Sequence, residues 1–126
     1  IDKATMRLFS VCDNKTMVVM NANDGSIISN IPIGDGPDGA AFDPGTKTIF
    51  SSNGDGTLTI VKELAKDKYK VLQNLKTKKG ARTITVDERS HSIYLPTADF
   101  DESNAQKGKR EPVKAGSFQV LVIKGA

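Results

Sequence analysis

This 126-residue sequence has little of the chemistry on which enzymes and metal proteins usually depend. Cys12 is the only cysteine, which excludes an internal disulfide framework and cysteine-based zinc sites. His91 is the only histidine, so a metal site built from several histidines cannot form within the chain. No catalytic motif is recognisable. We therefore predict no catalytic residues, no metal and no cofactor, and we interpret Cys12 as a small side chain among apolar neighbours.

Long apolar runs and helical periodicity are also missing. No stretch approaches the roughly 20 apolar residues that a membrane helix needs, so membrane insertion is not expected. The nearest candidate for a helix is residues 61–72, "VKELAKDKYKVL". A strand, a charged turn and a second strand fit that segment better.

What the sequence does contain is a repeat. Residues 42–61 superpose on residues 1–20 without a gap at an offset of 41. Residues 86–100 match residues 42–56 at an offset of 44. A period of 41–44 residues is typical of a β-propeller blade. Inside each repeat, β-branched residues alternate with polar ones, and turn sequences such as "NGDG" separate the runs.

We predict an all-β fold made of four-stranded antiparallel propeller blades, a partial ring of two to three blades. Residues 1–35 form an incomplete blade with strands B to D, and residues 36–77 a complete blade with strands A to D. Residues 78–126 form a last blade with strands A to C, whose B–C connection is the long loop 99–116. A last blade that ends at strand C predicts the C-terminal portion of a larger ring, because closed propellers commonly complete that blade with an N-terminal strand.

The exposed faces of the outer blades predict further contacts with protein. A blade buries its apolar faces against its neighbours, so an open segment leaves faces uncovered. We expect self-association, or that the chain belongs to a longer polypeptide.

The residues "IPIGDGPDGAAFDPGTKTIFSSNGDGTLTIV", with "GARTITVDERSHSIYLPTADF" and "SFQVLVIKGA", resemble the YVTN-type (YncE-like) β-propeller repeat proteins of bacteria. The resemblance implies a seven-bladed ring, usually exported to the periplasm or cell surface and generally without assigned catalysis. It also implies scaffold-like roles in surface layers and adhesion, and nucleic-acid binding is known within the wider group. It transfers no functional residue, because the repeated motif is structural.

The candidate binding residues lie in connections that a propeller gathers on one rim. Asp38 and Arg82 hold equivalent positions just before inner strands. They either bind a small ligand or ion at the channel mouth, or join neighbouring blades through an ion pair.

The last third of the chain carries the whole charge excess, with ten basic and six acidic side chains in residues 76–126. Its long loop 99–116 begins acidic and ends basic. The loop is either mobile and solvated, or it joins the basic residues of 76–82 in a patch that attracts a polyanion. The rim residues predicted to bind are Asp38, Lys78, Lys79, Arg82, Lys107, Lys109 and Arg110.

The remaining titratable residues have structural interpretations. One aspartate recurs at the same site of each repeat (Asp2, Asp43 and Asp87), which fits a turn-forming role. His91 is predicted to lie on the opposite rim as a structural or surface residue.

The function that we predict is a non-enzymatic binding or structural scaffold for an unknown protein or small-molecule ligand. One alternative is polyanion or nucleic-acid binding through the basic rim. The other is part of a propeller hydrolase of the lactonase type, whose site would need residues from several blades.

Overall fold

The computed structural model describes residues 1–125, which contain ten β-strands and one short 3-10 helix at Glu102–Asn104. The strands are β1 (Arg7–Cys12), β2 (Thr16–Asn21), β3 (Ile27–Pro32), β4 (Pro37–Asp43), β5 (Thr48–Asn53), β6 (Thr57–Ala65), β7 (Lys68–Lys76), β8 (Thr85–Asp87), β9 (Ser92–Thr97) and β10 (Gln119–Lys124). No helix among these residues has the length and apolar character that a membrane crossing requires.

The strands form three separate sheets in chain order. The first sheet is β1-β2-β3, the middle sheet β4-β5-β6-β7, and the third β8-β9-β10. Every neighbouring pair is antiparallel. The predicted fold class, an all-β partial ring of propeller blades, is confirmed.

Two hydrophobic cores lie between the sheets. One contains Met17 and Val19 of the first sheet together with Ile49 and Val61 of the middle sheet. The other core groups residues of the middle and third sheets, namely Phe50, Leu58, Ala81, Ile93 and Leu95. Successive side chains of a strand point to opposite faces, so Ile49 and Phe50 of β5 serve different cores. The middle sheet is therefore covered on both faces.

The third sheet turns an apolar face to solvent. Along β10, Val120 and Val122 are 47% and 51% exposed, whereas Leu121 and Ile123 pack against the second core. The predicted self-association would cover such a face, and it stays a prediction.

One aspartate forms the same turn in each repeat. The Asp43 carboxylate accepts hydrogen bonds from the Gly45 N–H at 3.1 Å and the Thr46 hydroxyl at 2.8 Å. Asp2 and Asp87 accept equivalent bonds from the residues two and three positions later. The residue four positions after each aspartate has a positive φ of 52° to 56°. The predicted turn-forming role of these aspartates is confirmed.

The first strand of the third sheet is shorter than predicted. The sequence predicts a strand over 82–87, but β8 begins at Thr85. In the register that pairs Thr85 with Tyr94, Pro96 would lie opposite Thr83. Proline has no N–H to donate, which limits how far the ladder can extend.

Because successive strands alternate in direction, their connections alternate between two edges of the sheets. The edge that we call the turn rim carries residues 22–26, 44–47, 66–67 and 88–91. The edge that we call the loop rim carries residues 13–15, 33–36, 54–56, 77–84 and 98–118.

Two polar pairs join neighbouring sheets at the turn rim. Arg7, which is 6% exposed, donates from Nε and Nη2 to both carboxylate oxygens of Asp67, at 2.6 and 3.0 Å. His91 Nδ1 lies 2.7 Å from Asp43 Oδ2 of the middle sheet. His91 is thus on the rim opposite the candidate binding residues, as predicted, and contacts a buried carboxylate.

Replacing Asp43 with alanine is expected to lower the free energy of unfolding by about 1–3 kcal/mol, because the Gly45 N–H and the half-buried Thr46 and His91 side chains lose their partner. Asp87→Ala is the matched control. Asp87 makes the same turn contacts but is partly exposed and, among residues 1–125, bonds no neighbouring sheet through its carboxylate. Denaturant unfolding at neutral pH measures both, and equal losses would contradict an inter-sheet role for Asp43.

The Asp43 carboxylate also predicts a pH dependence. Burial alone would raise its pKa, but hydrogen bonds from Thr46, His91 and Gly45 outweigh burial and hold the pKa below its ordinary value of 3.8. A carboxylate with a lowered folded-state pKa stabilises the fold above its unfolded-state pKa and loses that contribution as the pH falls through the folded value. Asp43→Asn is expected to flatten the loss of stability below about pH 4, measured by thermal unfolding across pH.

Candidate functional site

The connections of the loop rim are joined through their backbones. The N–H of Gly54 donates to the carbonyl of Gly36 at 2.7 Å, and the N–H of Gly80 donates to the carbonyl of Gly54 at 3.0 Å. Thr77 donates in the same way to Gly56 at 2.7 Å. The connections 33–36, 54–56 and 77–84, which precede, interrupt and follow the strands of the middle sheet, therefore form one continuous platform.

The long segment 99–116 has a structured base where it leaves and rejoins the third sheet. Phe100 and Val113 form an antiparallel bridge. Beside it, the backbone N–H of Lys114 donates to the carbonyl of Asp99 at 2.8 Å. The backbone N–H of Asp101 donates to the carbonyl of Pro112 at 2.7 Å. From the sequence, the segment is either a mobile, solvated loop or part of a basic patch. In the structure its two ends pair as a hairpin.

Phe100 packs directly on Gly80 of the platform. A Cβ atom at Gly80 would lie 2.5 Å from Cε2 and 2.7 Å from Cζ of the Phe100 ring, closer than real side chains approach. Gly80 also has a φ of +79°, a conformation that glycine adopts without strain. The absence of a side chain at residue 80 is thus what lets the aromatic ring rest on the platform.

Between the platform and the hairpin lies a cleft of about 460 Å³, which we call the rim cleft. Its lining residues come from the middle sheet, the β7–β8 connection and the long segment. They are Gly54, Lys79, Gly80, Arg82, Phe100, Lys109, Arg110, Glu111 and Val113. Four cationic side chains therefore face one carboxylate over a floor of glycine backbone, Phe100 and Val113.

A second, smaller cavity of about 140 Å³ lies between the first and middle sheets. It is lined by Ile1, Phe9, Ala40, Ala41 and Phe42. The five side chains that line this cavity are all apolar.

Four of the predicted binding residues are engaged in ion pairs, namely Asp38, Lys78, Lys79 and Arg82. Lys78 binds the carboxylate of Asp99 and holds the pKa of Asp99 below its ordinary value. Lys79 Nζ lies 2.9 Å from Glu111 and 3.4 Å from Glu102, and these hydrogen bonds raise the pKa of Lys79, with Glu111 the stronger cause.

Arg82 has the loosest of these contacts. Its Nε lies 3.8 Å from Asp38 Oδ2, beyond hydrogen-bond distance, and both side chains are about half exposed. The predicted Asp38–Arg82 pair thus exists between the middle sheet and the β7–β8 connection. Arg82 lines the rim cleft, whereas Asp38 lies beside it.

The remaining predicted residues lie on the long segment. Lys109 and Arg110 line the rim cleft, whereas Lys107 lies near the tip of the hairpin. Within residues 1–125, no carboxylate approaches the side-chain nitrogens of these three residues to within the 4.0 Å of an ion pair. Lys109 and Arg110 are therefore the cleft cations that no carboxylate of the described chain engages.

Gly80, Glu111 and Val113 are parts of the site that no sequence motif predicts. Glu111 is an acidic residue directly after the basic run 107–110. An acidic residue at that position indicates an ion pair with a nearby cation. The residues that the structure describes bring together no group of three or more His, Cys, Asp or Glu side chains that could hold a metal ion.

No protein-family model matches this sequence, and no curated protein is similar enough to count as a match. The structure resembles a chain of Kuenenia stuttgartiensis hydrazine synthase, with a TM-score of 0.64 and 12% sequence identity. The likeness covers 74% of this chain and 26% of that chain, so it spans about a quarter of the other protein's length. At this identity the likeness concerns the fold alone.

Gly80→Ala is expected to displace Phe100 and destabilise the chain more than Gly108→Ala does. Both glycines have a φ of +79°, but a Cβ at Gly108 would meet nothing within 4 Å. The difference between the two variants therefore isolates the contact with Phe100, and we expect it to be about 1–3 kcal/mol. Thermal or denaturant unfolding measures it, and equal effects would show that Phe100 does not rest on residue 80.

Proposed function

We propose that this chain is a non-enzymatic binding scaffold and that the rim cleft is where it binds an anionic ligand. The observation that carries the proposal is the convergence of four cationic side chains on one cleft whose floor is backbone and apolar. Ligand sites are commonly clefts of several hundred Å³ that combine apolar walls with a few well-placed polar groups. The rim cleft has that size and that composition.

The charge arrangement supports an anion as the ligand. Lys109 and Arg110 have no carboxylate partner among residues 1–125, so an incoming anion displaces no ion pair to reach them. Arg82 is held only at 3.8 Å from Asp38. Guanidinium groups present a planar set of donors that matches carboxylate and phosphate oxygens, which suits Arg82 and Arg110 to this task.

The lining groups also support binding rather than catalysis. Nucleophilic catalysis needs a hydroxyl or thiol beside a base, and acid–base catalysis needs a titratable group near neutral pH. Among the described lining residues there is no hydroxyl, thiol or imidazole. The imidazole of His91 lies at the turn rim, bonded to Asp43.

We further propose that the three sheets are blades of a longer YVTN-type propeller, which would place the protein in the periplasm or outside the cell. The repeated aspartate turn supports this, because Asp43 and Asp87 end inner strands of consecutive sheets with the same hydrogen bonds. Self-association is the alternative way to cover the open face of β10.

Inorganic phosphate and acetate are expected to shift the backbone amide resonances of Gly54, Gly80 and residues 109–113 in a titration at low ionic strength. The double variant Lys109→Gln/Arg110→Gln should weaken binding by about tenfold, because it removes two charge-assisted hydrogen bonds. The matched control, Lys66→Gln/Lys68→Gln, removes the same charge at the turn rim and should leave affinity unchanged. Equal losses in both double variants would mean that net charge, and not the rim cleft, attracts the anion.

Binding of a polyanion is the second candidate, and the exposed hairpin tip favours it. Lys107, Lys109 and Arg110 are exposed, and none has a carboxylate partner within residues 1–125. An extended polyanion would contact this tip as well as the cleft, and its affinity would fall steeply with salt through counterion release.

The tip separates the two candidates. Under the polyanion candidate, Lys107→Gln alone lowers the affinity for a single-stranded oligonucleotide and reduces the slope of log affinity against log salt by about 0.7. Under the small-anion proposal, Lys107→Gln leaves phosphate binding unchanged, since Lys107 is not among the residues that line the cleft. Fluorescence anisotropy over a salt series measures the first, and the resonance titration measures the second.

A further inference from the structure

We infer that the ligand of the rim cleft is a monoanion built on a flat apolar ring system, of the arene carboxylate class. This rests on the proposed anion-binding function and adds the chemistry of the rest of the ligand. Three features of the rim cleft support it: the lining groups, the placement of the charges and the volume.

The cleft lining contains two glycines and two apolar side chains, those of Phe100 and Val113. Gly54 and Gly80 contribute backbone without side chains, and the Phe100 ring lies against Gly80. Val113 is 58% exposed, so its side chain also offers apolar surface to an incoming molecule. Aromatic rings pair favourably with other rings in offset or edge-to-face geometry, so a flat aromatic ligand gains from Phe100 what a small inorganic anion cannot.

The charges favour one anionic group on that ligand. Arg82 comes from the β7–β8 connection, and Lys109 and Arg110 come from the hairpin. The fourth cation, Lys79, is already bonded to Glu111 and Glu102. Three cations remain, and the two oxygens of one carboxylate can accept hydrogen bonds from more than one of them.

The volume sets the size of the ring system. An apolar cavity of about 150 Å³ accommodates one benzene ring. The rim cleft, at about 460 Å³, has room for two fused rings together with the charged group and its hydration. Naphthalene-2-carboxylate is therefore a probe that matches the cleft in size and charge.

The experiment compares three probes by calorimetry or by resonance titration. Naphthalene-2-carboxylate carries both features, acetate carries the charge without the rings, and naphthalene-2-carboxamide carries the rings without the charge. We expect the first to bind about tenfold or more tightly than either of the others. The amide resonances of Gly54, Gly80 and Phe100 are expected to shift in the same titration, which places the probe in the rim cleft.

Variants separate the ring contribution from the charge contribution. Phe100→Leu keeps an apolar residue on Gly80 but removes the aromatic face, and it should weaken naphthalene-2-carboxylate several-fold while leaving acetate unchanged. Val113→Thr keeps the shape of the side chain and should weaken the two ring-bearing probes while leaving acetate unchanged. It provides the same test if Phe100→Leu disturbs the hairpin. Arg82→Gln should weaken both anions and leave the carboxamide unchanged.

The outcomes distinguish the inference from the function on which it rests. If acetate and phosphate bind at the cleft and the naphthalene rings add no affinity, the ring inference is overturned and anion binding stands. If the carboxamide binds as tightly as the carboxylate, the cleft recognises apolar surface and both are overturned. If none of the probes shifts the cleft resonances, both fail together.

Discussion

The position of the middle sheet between two others is the constraint on which the rest of the structure depends. All six residues of β5 are buried, and its alternating side chains enter both cores, Ile49 on one side and Phe50 on the other. A strand of period two can supply two cores only when both of its faces are covered. The first and third sheets therefore both pack against the middle sheet, through cores to which β5 and β6 each contribute.

Burial of β5 also has a consequence for its polar end. Ser51, Ser52 and Asn53 are wholly buried and must find partners inside the protein, because an unsatisfied buried polar group costs about 1–3 kcal/mol. Asn53 donates to Thr57 and Thr59 at 3.0 Å and accepts from Ser51 at 2.8 Å. This network ends at Gly54, the residue from which the loop-rim platform is built, so the satisfied strand end and the cleft floor are parts of one arrangement.

Much of the fold follows from the sequence because the repeat carries its own turn chemistry. An aspartate followed three residues later by Thr or Ser marks the end of an inner strand at Asp43 and at Asp87, whatever surrounds it. The gathering of basic residues at one rim follows in the same way, since strand direction alternates and the connections must alternate with it. The late start of β8, at Thr85, was not predicted, because it depends on Pro96 in a neighbouring strand.

The site is less predictable than the fold because its contacts join segments that share no repeat. Phe100 rests on Gly80 across 20 positions, and Lys79 binds Glu111 across 32 positions. No periodicity relates such pairs, so the sequence shows that basic residues share a rim but not which of them stay without an acidic partner. Ion pairs with carboxylates engage Lys78 and Lys79. Lys109 and Arg110 have no such partner among residues 1–125 and can bind an external anion.

The two rims therefore differ in how their charged side chains are paired. At the turn rim, Arg7 with Asp67 and Asp43 with His91 pair across neighbouring sheets, so these charges are used within the fold and offer little to a partner. At the loop rim the repeat is interrupted by the one long segment, and there the cations exceed their internal partners. A fold shared at 12% identity says nothing of function, so the proposed function rests on the rim cleft and on the cations there that no carboxylate of residues 1–125 engages.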